Sequence, residues 1–285
     1  MVATILDGKA LAATMRDEIA AEVAAFKAKH GWTPSIAVLQ AGADPASERY
    51  VKQIGKSFEG VGMGFRLSTL PDTTTETEVL KVLAEFNSDP QVSGIIVQLP
   101  LPKQVPQQAV TFKIAPEQDV DGVNPCNSGM LMAGTGDFFA PATPSGGMVI
   151  LERYGIEIKG KKAVVVGRSN IVGKPMAMLL LHQHATVTIC HTRTVDLPAV
   201  TREADILVAA AGKPKMITAD MVRPGAVVID FGVNVVDGKM VGDVDFEAVK
   251  EIAGAITPVP GGTGPMTNIM LMRNTLLAAK RTTAK

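Results

Sequence analysis

The chain has 285 residues, 46% hydrophobic and 20% charged, enough to bury a sizeable core in one large or two ordinary domains. Its 28 Lys and Arg balance 28 Asp and Glu, so no bulk charge points to nucleic acid or an anionic membrane. No uncharged apolar stretch reaches the roughly 18 residues of a membrane span, and no basic-then-apolar segment opens the chain. Two cysteines, Cys126 and Cys190, do not make a disulfide framework, so a reduced, cytoplasmic setting is expected.

The first half alternates between helix and strand periods. Residues 11–29 are helical by period, with Leu11, Met15, Ile19, Val23 and Phe26 on one stripe. Residues 35–40 read as a strand, 47–61 as a helix, 66–70 as a short strand and 75–87 as a helix. A buried strand at 94–98 stops at Leu99-Pro100-Leu101-Pro102. The Pro/Gly-rich zone 141–147 reads as a hinge. Beyond it, strands at 162–166, 186–190, 206–210 and 227–231 alternate with helices or loops, and a last helix, 268–280, is expected to return to the first half. The pattern predicts an α/β protein of two domains, each a mostly parallel sheet with flanking helices. Residues 1–140, with the C-terminal helix 268–285, form the first domain, and 141–267 form a Rossmann-like second domain.

The run Val164-Val165-Val166-Gly167-Arg168-Ser169-Asn170-Ile171-Val172-Gly173-Lys174-Pro175 carries the most chemistry. A buried-type strand feeds a glycine turn, which opens a helix rich in Met and Leu. Glycine lets backbone approach a dinucleotide pyrophosphate, and a helix N-terminus offers N–H groups and partial positive charge. The second glycine comes six residues after the first, not in G-x-G-x-x-G spacing, and a plain βα turn shares this outline. In a dinucleotide fold, a carboxylate ending the next strand holds the ribose 2′-OH and selects NAD. Here Cys190 is followed by His191-Thr192-Arg193-Thr194, with no carboxylate. Thr192 and Arg193 suit a 2′-phosphate, and Arg168 offers a second charge-assisted contact, so NADP is expected. A solvated loop arginine is the alternative for Arg193.

Further motifs line up along the chain: Val97-Gln98-Leu99-Pro100-Leu101-Pro102, Asp119-Val120-Asp121-Gly122, Thr143-Pro144 and Gly212-Lys213-Pro214. Ile229-Asp230-Phe231-Gly232-Val233-Asn234 and the loop from Thr257-Pro258-Val259-Pro260-Gly261-Gly262 to Thr263-Gly264-Pro265-Met266-Thr267 complete the set. On these motifs the chain resembles, nearly end to end, the methylenetetrahydrofolate dehydrogenase/methenyltetrahydrofolate cyclohydrolase family of one-carbon metabolism. The resemblance implies a cleft between two domains, hydride transfer from 5,10-methylenetetrahydrofolate to NADP+, and a homodimer joined through the cofactor domains. It implies Tyr50, Gln98 and Asp121 as catalytic and folate-site residues, with Asp121 gripping the pterin N–H groups. Leu99, Pro100, Gly261, Gly262 and Pro265 would border the substrate. Thr143, Gly167, Arg168, Ser169, Ile171, Val172, Gly173, Pro175, His191, Thr192, Arg193, Gly212, Gly232, Val233 and Asn234 would hold the cofactor. Read from the residues alone, Asp121 before Gly122 suits a turn cap better than a ligand contact, and Tyr50 equally suits a core aromatic.

One position departs from the family pattern. A catalytic lysine is expected four residues after the tyrosine, and this chain has Ile54 there. Isoleucine cannot carry a proton, so loss of the cyclohydrolase step is expected. Lys52 and Lys56 each lie two residues away, a turn of about 200° on a helix, and so face elsewhere. Two other outcomes stay open: a fully bifunctional enzyme that uses another lysine, and a non-catalytic NADP- or folate-binding sensor. Ala142, Thr263 and Asn268-Ile269 are smaller departures from the family pattern, and a folate pocket reshaped toward a modified folate or related pterin is the alternative they leave open. His182 and His184, two apart, share no helix face, and no metal site is expected.

Overall fold

In the computed structural model, which describes residues 2–283, the elements run β1 (Thr4–Ile5), α1 (Gly8–His30), β2 (Ser35–Ala41), α2 (Pro45–Gly60), β3 (Gly64–Leu70), α3 (Glu76–Ser88) and β4 (Gly94–Val97). There follow α4 (Gln107–Thr111), α5 (Pro125–Ala133), α6 (Ala142–Arg153), β5 (Lys162–Val166), α7 (Gly173–His182), β6 (Thr186–Cys190), α8 (Leu197–Thr201) and β7 (Ile206–Ala209). The chain closes with β8 (Val227–Asp230), β9 (Asn234–Val236), β10 (Lys239–Val241), α9 (Phe246–Val249), β11 (Ala255–Ile256) and α10 (Thr263–Thr283). These elements fall into two compact units. One joins Thr14–Ala142 to the segment from Asn268 onward, and the other joins Thr143–Thr267 to the segment ending at Ala13.

The first unit holds a three-stranded parallel sheet in the order β3-β2-β4. Central β2 is buried from Ile36 to Ala41 without alternation, as expected for a parallel strand covered on both faces. Its helices start on side-chain caps. The Asp44 carboxylate accepts from the Ser47 N–H at 2.8 Å before Pro45 opens α2. Thr75 and Glu78 form a reciprocal capping box at α3. Buried Val79, Leu83 and Phe86 of α3 pack on Leu39 and Ile95 of the sheet. Within this unit the Asn274 amide of α10 donates to the Val120 carbonyl at 2.8 Å. The last two residues of the expected 268–285 helix lie outside the described residues.

The second unit holds a six-stranded sheet, β1-β11-β8-β7-β5-β6, with every pairing parallel. From β5 the chain winds first to β6 and then back across to β7. The crossover direction therefore reverses between β5 and β7, the position where α/β sheets open a ligand crevice at the strand C-terminal ends. Three features differ from the expectations. The first strand pairs with β11, so the opening residues join this sheet rather than the 1–140 domain; Ala3 and Leu6 are buried there. Residues 141–147 hold the boundary between the units, at Ala142/Thr143, but as the opening turns of α6 rather than as a loop. Pro144 sits in its first turn, where no intrahelical N–H is needed, and Gly147 lets the Phe231 ring approach. The hairpin β9–β10 was not expected, although Asp237-Gly238, both at positive φ (51° and 73°), is a two-residue hairpin turn signal. Among the described residues, no helix is long and apolar enough to cross a membrane.

A Cβ added at Gly94 would lie 2.6 Å from Val120 Cγ1 and 2.9 Å from Thr275 Oγ1. Gly94→Ala is therefore expected to destabilise the protein by about 1–3 kcal/mol, read as a lowered urea midpoint. An unchanged midpoint would contradict this packing.

Candidate active site

The loops at the C-terminal ends of β5, β6, β7 and β8 carry most of the cofactor residues expected from sequence. β5 and β6 pair in register to Val166↔Cys190, so Gly167 and His191 leave the sheet side by side. Gly167 has φ +139°, and a Cβ there would lie 2.1 Å from the Ala210 carbonyl oxygen on the β7 loop. A Cβ on Gly173 would meet the Gly167 carbonyl at 2.3 Å. Only glycine permits this closeness, and it leaves a cradle with backbone as its floor.

The donors of that cradle differ from the expectation in one respect. The Ser169 hydroxyl accepts from the N–H groups of Val172 (3.1 Å) and Gly173 (3.3 Å), and the Ser169 carbonyl accepts from Lys174 at 3.1 Å. Pro175 has no N–H. The first turn of α7 is thus self-capped, and its dipole acts without free donors. Among the described residues, the amides of Arg168, Ser169, Asn170 and Ile171 donate to no protein acceptor. The unengaged donors among the described residues therefore lie in the loop, one step before the helix. The side chains of Arg168 and Arg193 are exposed and enter no ion pair among the described residues. The His191 Nδ1 accepts from the Arg193 N–H at 3.1 Å, which fixes the turn that presents Arg193 and Thr192. Oxygen-rich phosphate groups suit such a set of amides and guanidinium groups.

The remaining members of this unit are placed as follows. Thr143 Oγ1 lies 3.3 Å from Thr267 Oγ1. Gly212 sits at φ +65° in the loop after β7, and Gly232, Val233 and Asn234 follow β8. Gly261, at φ +107°, accepts from Lys9 N–H at 2.8 Å, and Gly262 approaches the Pro258 carbonyl closely. Pro265 lies in the first turn of α10.

Tyr50, Gln98 and Asp121 belong to the other unit. Gln98 follows β4; its side-chain amide donates to the Leu99 carbonyl at 2.7 Å, and the Leu99–Pro100 peptide is cis. The Asp119 carboxylate is fully buried and accepts from Asn127 Nδ2, Asn124 N–H and Val123 N–H. Burial, and then the charge of Asp119, push Asp121 up to about 7, against a bond from the Ala142 backbone. Tyr50 is 36% exposed on α2 and so is no core aromatic; partial burial of its hydroxyl, and then the charge of Asp121, raise its phenol. Tyr50 and Asp121 therefore sense each other, and Tyr50 remains an O–H donor at neutral pH. The residues expected at the substrate divide between the units, because Gly261, Gly262 and Pro265 lie with the second.

Ile54 is fully buried on the face of α2 that also buries Val51, Gly55 and Phe58. Lys52 and Lys56 are exposed, and α2 runs unbroken from Pro45 to Gly60. Neither lysine replaces residue 54. The sequence reading assigned no role to Asp230, a buried carboxylate pushed up to about 6, chiefly by burial. An acid ending an apolar strand, Val227-Val228-Ile229-Asp230, is the signal that marks it.

Residues 6–121 match the tetrahydrofolate dehydrogenase/cyclohydrolase catalytic domain, and residues 141–283 match the NAD(P)-binding domain of the same name. The bifunctional protein FolD of Roseiflexus castenholzii is 57% identical over 281 residues, covering 98% of this chain and 97% of the relative. The crystal structure of the bifunctional methylenetetrahydrofolate dehydrogenase/cyclohydrolase FolD from Campylobacter jejuni superimposes with a TM-score of 0.96 at 44% identity, covering 98% of this chain and 99% of that one. That of Trypanosoma brucei, complexed with NADP cofactor and inhibitor, gives a TM-score of 0.96 at 35% identity, covering 100% of both chains.

Gly167→Ala forces a methyl against the Ala210 carbonyl. It is expected to weaken NADP+ binding by about tenfold or more, measured by titration calorimetry, as the β5 loop is pushed out of place. Wild-type affinity in a folded variant would contradict the cradle.

Proposed function

This chain belongs to the tetrahydrofolate dehydrogenase/cyclohydrolase family, and on that premise we propose that it oxidises 5,10-methylenetetrahydrofolate with NADP+ and hydrolyses the resulting methenyl compound to 10-formyltetrahydrofolate. The observation that carries the reading is the Gly167 cradle, whose four amides and whose Arg168 and Arg193 side chains have no partner among the described residues. These groups fit NADP: the amides Arg168–Ile171 suit the pyrophosphate, and the guanidinium groups suit the 2′-phosphate. NADP+ supplies the hydride acceptor. The nitrogens flanking the methylene carbon stabilise the cation that forms, so the protein's share is alignment rather than proton transfer. Asp121 accepts pterin N–H groups when ionised, with Tyr50 and Gln98 as neighbouring polar contacts.

Hydrolysis adds water to the methenyl carbon, breaks that carbon's bond to N5 with a proton passing to the nitrogen, and releases one net proton. The relatives' shared naming as bifunctional supports this second activity, so the loss expected from Ile54 is not retained. Because residue 54 bears no ionisable group and the nearby lysines face solvent, the step here relies on other groups. Tyr50 and Asp121, whose titrations are both raised and coupled, are assigned this part. A homodimer joined through the cofactor-binding units and a cytoplasmic location complete the proposal, both on family resemblance.

The direct test follows NADPH and methenyltetrahydrofolate together in one absorbance trace. NADPH should rise while the methenyl compound stays below it. A stoichiometric and lasting rise of both contradicts hydrolysis, and no rise of either contradicts the oxidation and favours a binding protein.

A second outcome concerns pH. With Asp121 near 7, its acceptor form is lost as the medium acidifies, so the KM for the folate should rise below about pH 7. Asp121→Asn should raise that KM at pH 8 and flatten its pH dependence. The linked stability runs the other way: the raised value favours the protonated folded form, so stability owed to Asp121 falls as pH rises from about 4 to about 7. A folate KM independent of pH in the wild type contradicts this assignment.

A further inference from the structure

A buried carboxylate outside the expected site residues ties the cofactor loops together. Asp243, fully buried after β10, accepts from three consecutive backbone N–H groups in the loop that follows β7: Ala211 at 2.6 Å, Gly212 at 2.8 Å and Lys213 at 2.9 Å. It also accepts from the Asn234 side-chain amide at 3.0 Å, at the start of β9. Four donors converge on one carboxylate, and the exposed loop Ala211–Lys213 has few other anchors.

The carboxylate is itself held in place. The Asp243 N–H donates to Asp230 Oδ1 at 3.1 Å, and the Asp243 carbonyl accepts from Ile217 at 2.9 Å. Asp230 also takes Gly232 N–H at 2.7 Å and Val244 N–H at 2.9 Å. Its own N–H and carbonyl bond Thr257 Oγ1 and Thr263 Oγ1, both at 2.8 Å. Two glycines make the approach possible. A Cβ on Gly232 would lie 2.4 Å from Asp243 Oδ1, and one on Gly242 would lie 1.9 Å from Asp230 Oδ2. The order from β8 outward is thus Asp230, then Asp243, then the loop after β7 and Asn234.

We propose that Asp243 is a positioning residue for the nicotinamide cofactor: it sets the Ala211–Lys213 loop and Asn234 in the arrangement that receives NADP. The inference rests on the proposed use of NADP. Charge-assisted acceptance of several backbone N–H groups is strong and directional, and a 1 Å misplacement of a positioning loop weakens binding markedly. Asparagine at 243 would keep one acceptor oxygen and turn an NH2 group against N–H donors, so the loop would move.

The test is steady-state kinetics of Asp243→Asn with NADP+ and the folate varied in turn, together with NADP+ titration calorimetry. The KM and Kd for NADP+ should rise about tenfold or more, while the folate KM stays within twofold and kcat at saturation is largely kept. A fall in kcat with both KM values unchanged would mark a merely structural residue and overturn the proposal, as would an unchanged NADP+ affinity. Should Asp243→Asn fail to fold, Asn234→Ala removes one of the four bonds; it should raise the NADP+ KM about threefold with the folate KM unchanged, and wild-type kinetics would overturn the proposal. Failure of the underlying reading shows separately, as absence of NADP+ reduction by the wild-type protein.

Discussion

The second unit depends on how the C-terminal ends of its parallel strands are finished. Each such strand delivers a loop of backbone N–H groups that has no sheet partner. Around β7 and β8 two buried carboxylates take them, Asp230 receiving three backbone N–H groups and Asp243 receiving three more with a side-chain amide. At β5 the solution differs. Ser169 satisfies the head of α7, and the loop amides before it have no acceptor among the described residues. The loops beside β7 and β8 in the middle of the sheet are thus tied by buried carboxylates, while among the described residues the neighbouring β5 loop keeps amides open to an anion. A phosphate-bearing cofactor matches that contrast because it supplies the acceptors the protein withholds.

The first unit manages charge in the opposite way. Asp119 is buried under three donors, while Asp121, two residues on, carries a charge that its surroundings disfavour. Such an acid gains from a ligand that donates N–H groups to it, which is what a pterin edge offers. Ile54 belongs to the packing of α2 rather than to this polar group. The apolar side chain is fully buried with Val51, Gly55 and Phe58.

Much of the architecture was legible in the sequence, for physical reasons. Short β-branched apolar runs ended by glycine, such as Ala163–Val166 before Gly167, read as covered parallel strands, and the stripe Met15, Ile19, Val23 and Phe26 is buried along α1 as its period required. Gly167 was legible because glycine at a strand end signals close backbone approach. What escaped was non-local. A two-residue strand such as Thr4–Ile5 carries no periodicity, and only its partner β11 reveals it. The glycines of 141–147 suggested a flexible joint, yet Gly146 and Gly147 serve the packing of Met266 and Phe231 against α6. Free donors were assigned to the helix itself, because nothing in the order Gly167 to Pro175 shows that Ser169 folds back to cap it. Asp243 was silent for the same reason: its partners lie 9 to 32 residues away.

The central claim is that this chain is an NADP-dependent oxidoreductase whose cofactor choice rests on the open β5 loop and Arg193. The most direct measurement is kcat/KM for oxidation of 5,10-methylenetetrahydrofolate with NADP+ and with NAD+, in the wild type and in an Arg168→Ala/Arg193→Ala variant. The account predicts a preference for NADP+ of about tenfold or more, as a charge-assisted bond of about 1.5–3 kcal/mol provides, and its collapse in the variant with NAD+ activity kept. Equal use of the two cofactors by the wild type, or a preference that survives loss of both arginines, would contradict it.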